Sequence, residues 1–234
     1  MKNENGFLKR LWYEIKKLII ALFIFQLLYI ITLKWVNPPV TITQMESLFI
    51  GDGLKRDYID EAKMSQHIKL AVIASEDQKF LKHTGLDWIS INKAIKHNEK
   101  KTKRIRGAST ISQQVAKNVF LWQGRSWIRK ALETYFTKMI EWIWGKKRIL
   151  EVYLNVIEMG KGIYGVEAAS KNYFDKTAAQ LSQKQAAMIA SCLPNPKKYT
   201  VKPPSPYVAY KTGWVMGQMQ YLAKDTAIQK LIKK

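Results

Sequence analysis

Apolar positions along the chain fall into two regimes. From residue 18 to residue 36, LIIALFIFQLLYIITLKWV, they run almost without interruption. Beyond that they recur at helical spacing. Ile68, Ala71, Val72 and Ser75 mark one face of a helix that begins at Ser65 and closes on Glu76 and Asp77. A helical pattern resumes at Ile111. Residues 126–158 continue as two long patterns around Gly145, the first with Leu132, Phe136, Met139, Ile140 and Ile143 on one stripe. Residues 160–175 are punctuated by glycines and then helical. An alanine-rich helix over 181–193 is ended by Pro194-Asn195-Pro196, and a proline-bearing loop leads to a last amphipathic helix over about 207–222. Residues 40–62 are mixed, with VTIT (40–43) as a short extended piece and Gly51-Asp52-Gly53 as a turn. No regular period-2 strands and no repeats appear, so the expected fold class is all-α.

The apolar run predicts a membrane anchor. Its nineteen residues make a helix of about 28 Å, close to the hydrocarbon thickness of a bilayer. Lys2, Lys9, Arg10, Lys16 and Lys17 precede it, and beyond Lys34 no basic residue follows until Lys55. That asymmetry predicts a cytoplasmic N-terminus with the body of the protein on the other side. Trp12, Tyr13 and Trp35 suit the headgroup belts, and Asn37-Pro38-Pro39 ends the helix. A cleavable signal peptide is the poorer reading, because the span is long and no small-x-small site follows Leu33.

Charge narrows the possible partners. With 39 Lys+Arg against 18 Asp+Glu the formal net charge is +21, which implies an anionic partner: nucleic acid, an anionic membrane or a phosphorylated substrate. Residues 93–106 hold seven of the basic residues and read as a mobile basic loop. They lack the interleaved aromatics that stack bases, and the predicted topology puts them across a membrane from nucleic acid. The one cysteine, Cys192, lies in an apolar helical run and reads as a small buried hydrophobe. Three histidines make a histidine-rich metal site improbable.

Candidate chemistry gathers in residues 107–133, GASTISQQVAKNVFLWQGRSWIRKALE. Gly107 offers backbone freedom. Ser109 and Thr110 offer N-cap chemistry, with Gln113 where a capping box would want it. Gln113 pairs with Lys117, and Gln114 with Asn118, at i,i+4, which places amides and a lysine on neighbouring faces as in a polar ligand site. Arg125, Arg129 and Glu133 continue at the same spacing, although Arg129–Glu133 alone also fits an ordinary helix ion pair. The tract 119–128, VFLWQGRSWI, suits either core packing or an exposed patch that dips into lipid. The acidic pair Glu76-Asp77 is unusual at a helix C-terminus, and a solvated helix end is its plain reading. Lys147–Glu151 reads as a structural i,i+4 pair.

Five blocks then match a known family in order: EDQKFLKHTG (76–85), GASTISQQVAKN (107–118), RKALE (129–133), KRILEVYLNVIEMG (147–160) and GIYGVEAAS (162–170). On these the chain resembles the lysozyme-like peptidoglycan glycosyltransferases, in their monofunctional, single-span form. No penicillin-binding domain is expected to follow. Ala108 departs from a glycine common in that family, and Gln123 from a proline. The resemblance implies a basic cytoplasmic tail (1–17), a transmembrane helix (18–36), a linker (37–62) and a glycosyltransferase domain (63–234). It places the protein in a bacterial inner membrane, with its catalytic domain periplasmic. It implies lipid II as substrate, a nascent β-1,4 glycan strand as product, and one inverting displacement. Glu76 matches the family's general base and Glu133 its second essential glutamate, which would orient Arg129, support the sugar or help to hold a divalent ion. Lys117 and Arg125 match its phosphate-contacting residues, with Ser109, Gln113, Gln114 and Arg129 in the same donor shell. Partners implied are lipid II, the glycan strand, membrane lipid and other cell-wall synthesis or division proteins, with no nucleic acid. Mg²⁺ or Mn²⁺ sometimes aids the pyrophosphate in that family, but no sequence feature here demands a metal.

Two rival readings stand beside this one. A membrane-bound muramidase would also use two carboxylates in a lysozyme-like domain, but a neutral glycan needs no cationic clamp. A basic, tethered binding module would account for the charge and leave Glu76 and Glu133 without a role.

Overall fold

The computed structural model describes residues 4–100, 107–124 and 126–233, with side chains from Phe7 onward. The chain divides into two units, one ending at Asn37 and one beginning at Pro38.

The first unit is a single helix, α1 (Glu4–Thr32). Among the described residues it is the one helix long and apolar enough to cross a membrane. Its apolar side chains from Leu18 to Phe25, and Leu28, are mostly exposed, as a lipid-facing helix requires. It stops earlier than the sequence predicts. Lys34 and Trp35 donate to the carbonyls of Ile31 and Thr32, three residues back, and the chain leaves the helix ahead of Pro38-Pro39. The predicted last turn, residues 33–36, is therefore not α-helical.

The second unit is helical, as expected. It contains α2 (Ile42–Phe49), α3 (Gln66–Glu76), α4 (Trp88–Glu99), α5 (Ile111–Phe120) and α6 (Trp127–Ile143). There follow α7 (Gly145–Val156), α8 (Val166–Phe174), α9 (Gln183–Cys192), α10 (Pro206–Leu222) and α11 (Thr226–Ile232). Three very short strands, β1 (Lys55–Arg56), β2 (Glu158–Gly160) and β3 (Ile163–Tyr164), form a small sheet ordered β1-β3-β2. β1 runs parallel and β2 antiparallel to β3. Two- and three-residue strands carry no readable alternation, so the sequence showed only their glycines. Gly165, at φ +82, follows this sheet, and a Cβ there would lie 2.5 Å from the Asn155 carbonyl oxygen.

The core is built around α3 and α7. Ile68 through Ala74 of α3 are buried continuously, and so are Ile149 through Val156 of α7 except Glu151, so these helices lie inside rather than on a face. α9 and α10 pack on α3 and on each other, while α6 and α7 pack on α5. Lys69, fully buried, pairs with Glu61 and donates to the Ile232 carbonyl (3.3 Å) at the end of α11.

Several local expectations are corrected. VTIT is not extended: Thr41 caps α2 in a capping box with Gln44. Thr43, Gln44 and Ser47 turn inward, and Ser47 Oγ donates to the Gly53 carbonyl (2.8 Å). The basic run is helical through Glu99, and residues 101–106 lie outside those described. Lys147 pairs with Glu61 (3.2 Å), while Glu151 takes Arg148 (2.9 Å). The buried positions of α6 are Arg129, Glu133, Thr137 and Ile140, so of the predicted apolar stripe only Ile140 is fully buried. That helix turns polar groups inward because it walls the cleft described next. α11 was not foreseen, since seven residues are too few for a readable period.

Candidate active site

α3 ends where it leaves the core, and its last residue is Glu76. Glu76 accepts from Gln114 Nε2 (2.8 Å) at Oε2, with Ser75 Oγ a distant 3.4 Å from Oε1. Ser75 also donates to the Ala190 carbonyl at 3.1 Å, the shorter contact. Burial pushes the Glu76 carboxyl above the usual carboxylate range. The hydrogen bonds from Gln114 and Ser75 and the charge of Lys211 on α10 oppose that rise, and neighbouring Asp77 adds to it.

Asp77 is no solvated helix end. It is 7% exposed and accepts from the Ile111 amide (3.1 Å) at the start of α5. Its other partner is His83 Nε2 at 3.0 Å. The Gly85 amide donates to His83 Nδ1 (3.1 Å), so Nε2 carries the hydrogen toward Asp77. Gly85 lies at φ +92, and a Cβ there would come within 2.6 Å of Thr137 Cγ2 on α6. Its carbonyl accepts from Thr110 Oγ1 (2.6 Å). The segment after Glu76 is thus pinned to α5 and α6.

α5 begins with the predicted capping box, in which Thr110 and Gln113 exchange side chain-to-backbone hydrogen bonds. Gln113 Oε1 is engaged there, and no protein acceptor takes its Nε2 among the described residues. Gln114 has both ends of its amide engaged. Its Nε2 meets Glu76, and its Oε1 accepts from the hydroxyl of Tyr153 on α7 (3.2 Å). Asn118 turns inward, to the Gln114 carbonyl (2.8 Å) and toward Thr43.

Lys117, also on α5, stands in a cationic neighbourhood. Partial burial lowers its pKa, with Arg129 and Lys130 acting the same way and Glu133 opposing them. Among the described residues no carboxylate forms an ion pair with it. Glu133 is 3% exposed and has both oxygens taken, Oε2 by Arg129 Nη1 (2.8 Å) and Oε1 by Lys130 Nζ. Arg129 Nε is buried and without an acceptor. Three cations thus surround one carboxylate.

These parts line a cleft of about 870 Å³. Glu76, Ser109, Gln113, Gln114, Lys117 and Glu133 all contribute to its wall, together with Lys79 and Lys93. Of the other predicted residues, Arg129 stands behind the wall on Glu133. Arg125 lies outside the described residues. α6 opens at Trp127 with Ser126 as its cap, so the helical stripe starts at Arg129. Glu133, saturated by cations, does not fit a role as metal ligand. Among the described residues no group of three or more His, Cys, Asp or Glu side chains converges as a metal cage. Sequence reasoning missed Tyr153, whose block carried the family match without any local sign of a role. It also missed the service Asp77 gives to α5, for which the proximity of Glu76 was the only signal.

Comparison with known proteins identifies the chain's relatives. The family model described as Transglycosylase matches residues 43–220. The biosynthetic peptidoglycan transglycosylase of Shewanella oneidensis is 45% identical over 222 residues, covering 93% of this chain and 95% of that protein. The protein of the same name from Pseudomonas syringae pv. tomato is 48% identical over 210 residues, 87% of this chain and 89% of its own length. That of Escherichia coli is 52% identical over 173 residues, 74% and 72% of the two chains.

Proposed function

The chain belongs to the transglycosylase family, and from that premise we propose that it is a membrane-anchored peptidoglycan glycosyltransferase polymerising lipid II. The reading is supported above all by one observation. A carboxylate raised by burial, Glu76, and a cation with no ion-pair partner among the described residues, Lys117, line the same cleft.

In the proposed reaction Glu76 takes the proton from the 4-hydroxyl of lipid II. The resulting oxygen attacks the anomeric carbon of the growing strand from the face opposite its pyrophosphate. The bond from that carbon to the phosphate oxygen breaks, and its electron pair leaves with the polyprenyl pyrophosphate. Inversion makes the β-1,4 link. A carboxylate with a raised pKa suits the proton transfer. The leaving charge would be met by Lys117 with Arg129 near it, fixed cations that need no rearrangement at the moment of reaction, and Arg125 would add to them on its match to the family's phosphate-contacting residue. Ser109 and the Nε2 of Gln113 would hold the donor's polar groups. Glu133 would hold Arg129 and Lys130 in place. No step is routed through a metal.

The surplus of cations also separates this reading from glycan hydrolysis, which develops no pyrophosphate charge. α1 would span the inner membrane with the second unit outside, beside its lipid-borne substrate. Trp127 and Ile128, 91% and 73% exposed, would face lipid, while Val119 and Leu121 of the same tract are in the core. Other cell-wall synthesis or division proteins are natural partners there.

The test is incubation of the full chain with labelled lipid II, alongside digestion of sacculi. Long glycan with intact sacculi is expected. Glu76→Gln keeps the shape but cannot accept the proton, so turnover should fall by about 10²–10⁴ with lipid II binding retained. Near-normal turnover by folded Glu76→Gln would remove it from the mechanism.

A further inference from the structure

We infer that Tyr153 is a positioning residue, whose hydroxyl locks the Gln114 amide in the orientation that presents Nε2 to Glu76. The inference rests on the reading of Glu76 as the base. Tyr153 is wholly buried on α7, and its hydroxyl lies 3.2 Å from Gln114 Oε1. Gln114 Nε2 lies 2.8 Å from Glu76 Oε2. The chain of contacts therefore runs from α7 through α5 to the end of α3.

An amide has one accepting end and one donating end. An ionised carboxylate can only accept, so it takes the donating end, and the phenol, donating to the other end, anchors the amide in that orientation. Turning the amide over would set its oxygen against an ionised carboxylate. Burial holds the phenol of Tyr153 well above its ordinary pKa, and the nearby charge of Glu76 adds to this. It therefore remains a donor throughout the working pH range.

The lock has a consequence for the proton. Glu76 Oε2 is occupied by Nε2, and the Ser75 hydroxyl lies closer to the Ala190 carbonyl than to Oε1. Oε1 is thus the oxygen that receives the proton of the acceptor. Without the Tyr153 hydroxyl the amide is free to turn once Glu76 is protonated. Its oxygen then accepts from the new carboxylic acid and favours the protonated base.

Other groups near Glu76 stay constant in the test. They are Asp77 beside it, Lys211 from α10 and Cys192 from α9. The Cys192 thiol is pushed up to about 12 by burial, so it stays neutral. Four full-length proteins are compared: wild type, Tyr153→Phe, Gln114→Leu and the double variant, which leaves no orphaned amide. Each is assayed with lipid II where its circular dichroism matches wild type.

Tyr153→Phe should lower kcat about tenfold, the scale of one hydrogen bond, with KM within about twofold. It should move the acidic limb of the kcat/KM profile up by about half a unit or more. Gln114→Leu should do at least as much, and the double variant should be no worse than Gln114→Leu. If Tyr153→Phe keeps the wild-type kcat and pH profile, or if the two losses multiply in the double variant, Tyr153 does not act through Gln114. An active Glu76→Gln protein would instead sink the base assignment, a result separable from an inert Tyr153→Phe beside a dead Glu76→Gln.

Discussion

Glu76 and Lys117 share a cleft and are displaced in opposite directions by the same cause, burial of a charged group. A base works only when ionised, so activity should rise with pH through the elevated pKa of Glu76. A phosphate-binding lysine works only when protonated, so activity should fall through the depressed pKa of Lys117. The kcat/KM profile should therefore be a bell. Its acidic limb should lie above the ordinary glutamate value of about 4.3, and its basic limb below the ordinary lysine value of about 10.4. A profile flat above pH 5 and up to pH 10 would contradict both assignments. Lys117 also gives a readout that needs no turnover. An anion bound beside it favours its protonated form, so inorganic pyrophosphate should raise the melting temperature of the full chain. Lys117→Ala should abolish most of that rise, and an undiminished rise would put the anion elsewhere. The residue types of this site were legible in the sequence. Their orientation was not, because which end of the Gln114 amide meets the base depends on two partners distant from it in sequence, Glu76 and Tyr153.

Capping signals were the most legible feature at the scale of elements. The Thr110/Gln113 box starts α5 as its spacing predicts, while Ser65, read only as the start of α3, proves to be its N-cap. Gly107 was less informative: it does not take a positive φ, and a Cβ there would meet nothing. Elements were lost where a non-local partner overrides the local pattern. α2 hides its polar residues because Asn118, Tyr58 and Gly53 accept hydrogen bonds from them. α6 buries Arg129 and Glu133 because they pair with one another, Glu133 at the cleft wall and Arg129 behind it. Asp77 follows the same logic. Carried at the end of α3, it serves the N-terminus of α5, where negative charge is favoured. Asp77→Ala would leave the buried Ile111 amide and the His83 imidazole without their acceptor. It should cost on the order of 1–3 kcal/mol in denaturant unfolding and lower turnover, since Glu76 is the adjoining residue. Unchanged stability would show that the α5 amide finds another acceptor.

At the scale of the whole molecule, the sequence distinguishes an apolar anchor from a basic helical unit, and the structure divides at Asn37. Basic residues crowd the N-terminal side of the apolar run, which orients such helices with that side in the cytoplasm. The second unit should then face outward. The chain supplies a clean way to test this. Its one cysteine, Cys192, is fully buried with its thiol pushed up to about 12, so it presents almost no thiolate at neutral pH. A cysteine introduced on an exposed face is then the only site for a maleimide. Tyr221, 71% exposed on α10, is such a position and takes no part in the proposed chemistry. In spheroplasts making the full-length Tyr221→Cys protein, a membrane-impermeant maleimide should label the chain without lysis. Wild type under the same conditions should stay unlabelled. Labelling of Tyr221→Cys only after lysis would place the second unit in the cytoplasm. The orientation read from the basic residues ahead of the apolar run would then fail, whatever becomes of the site assignments.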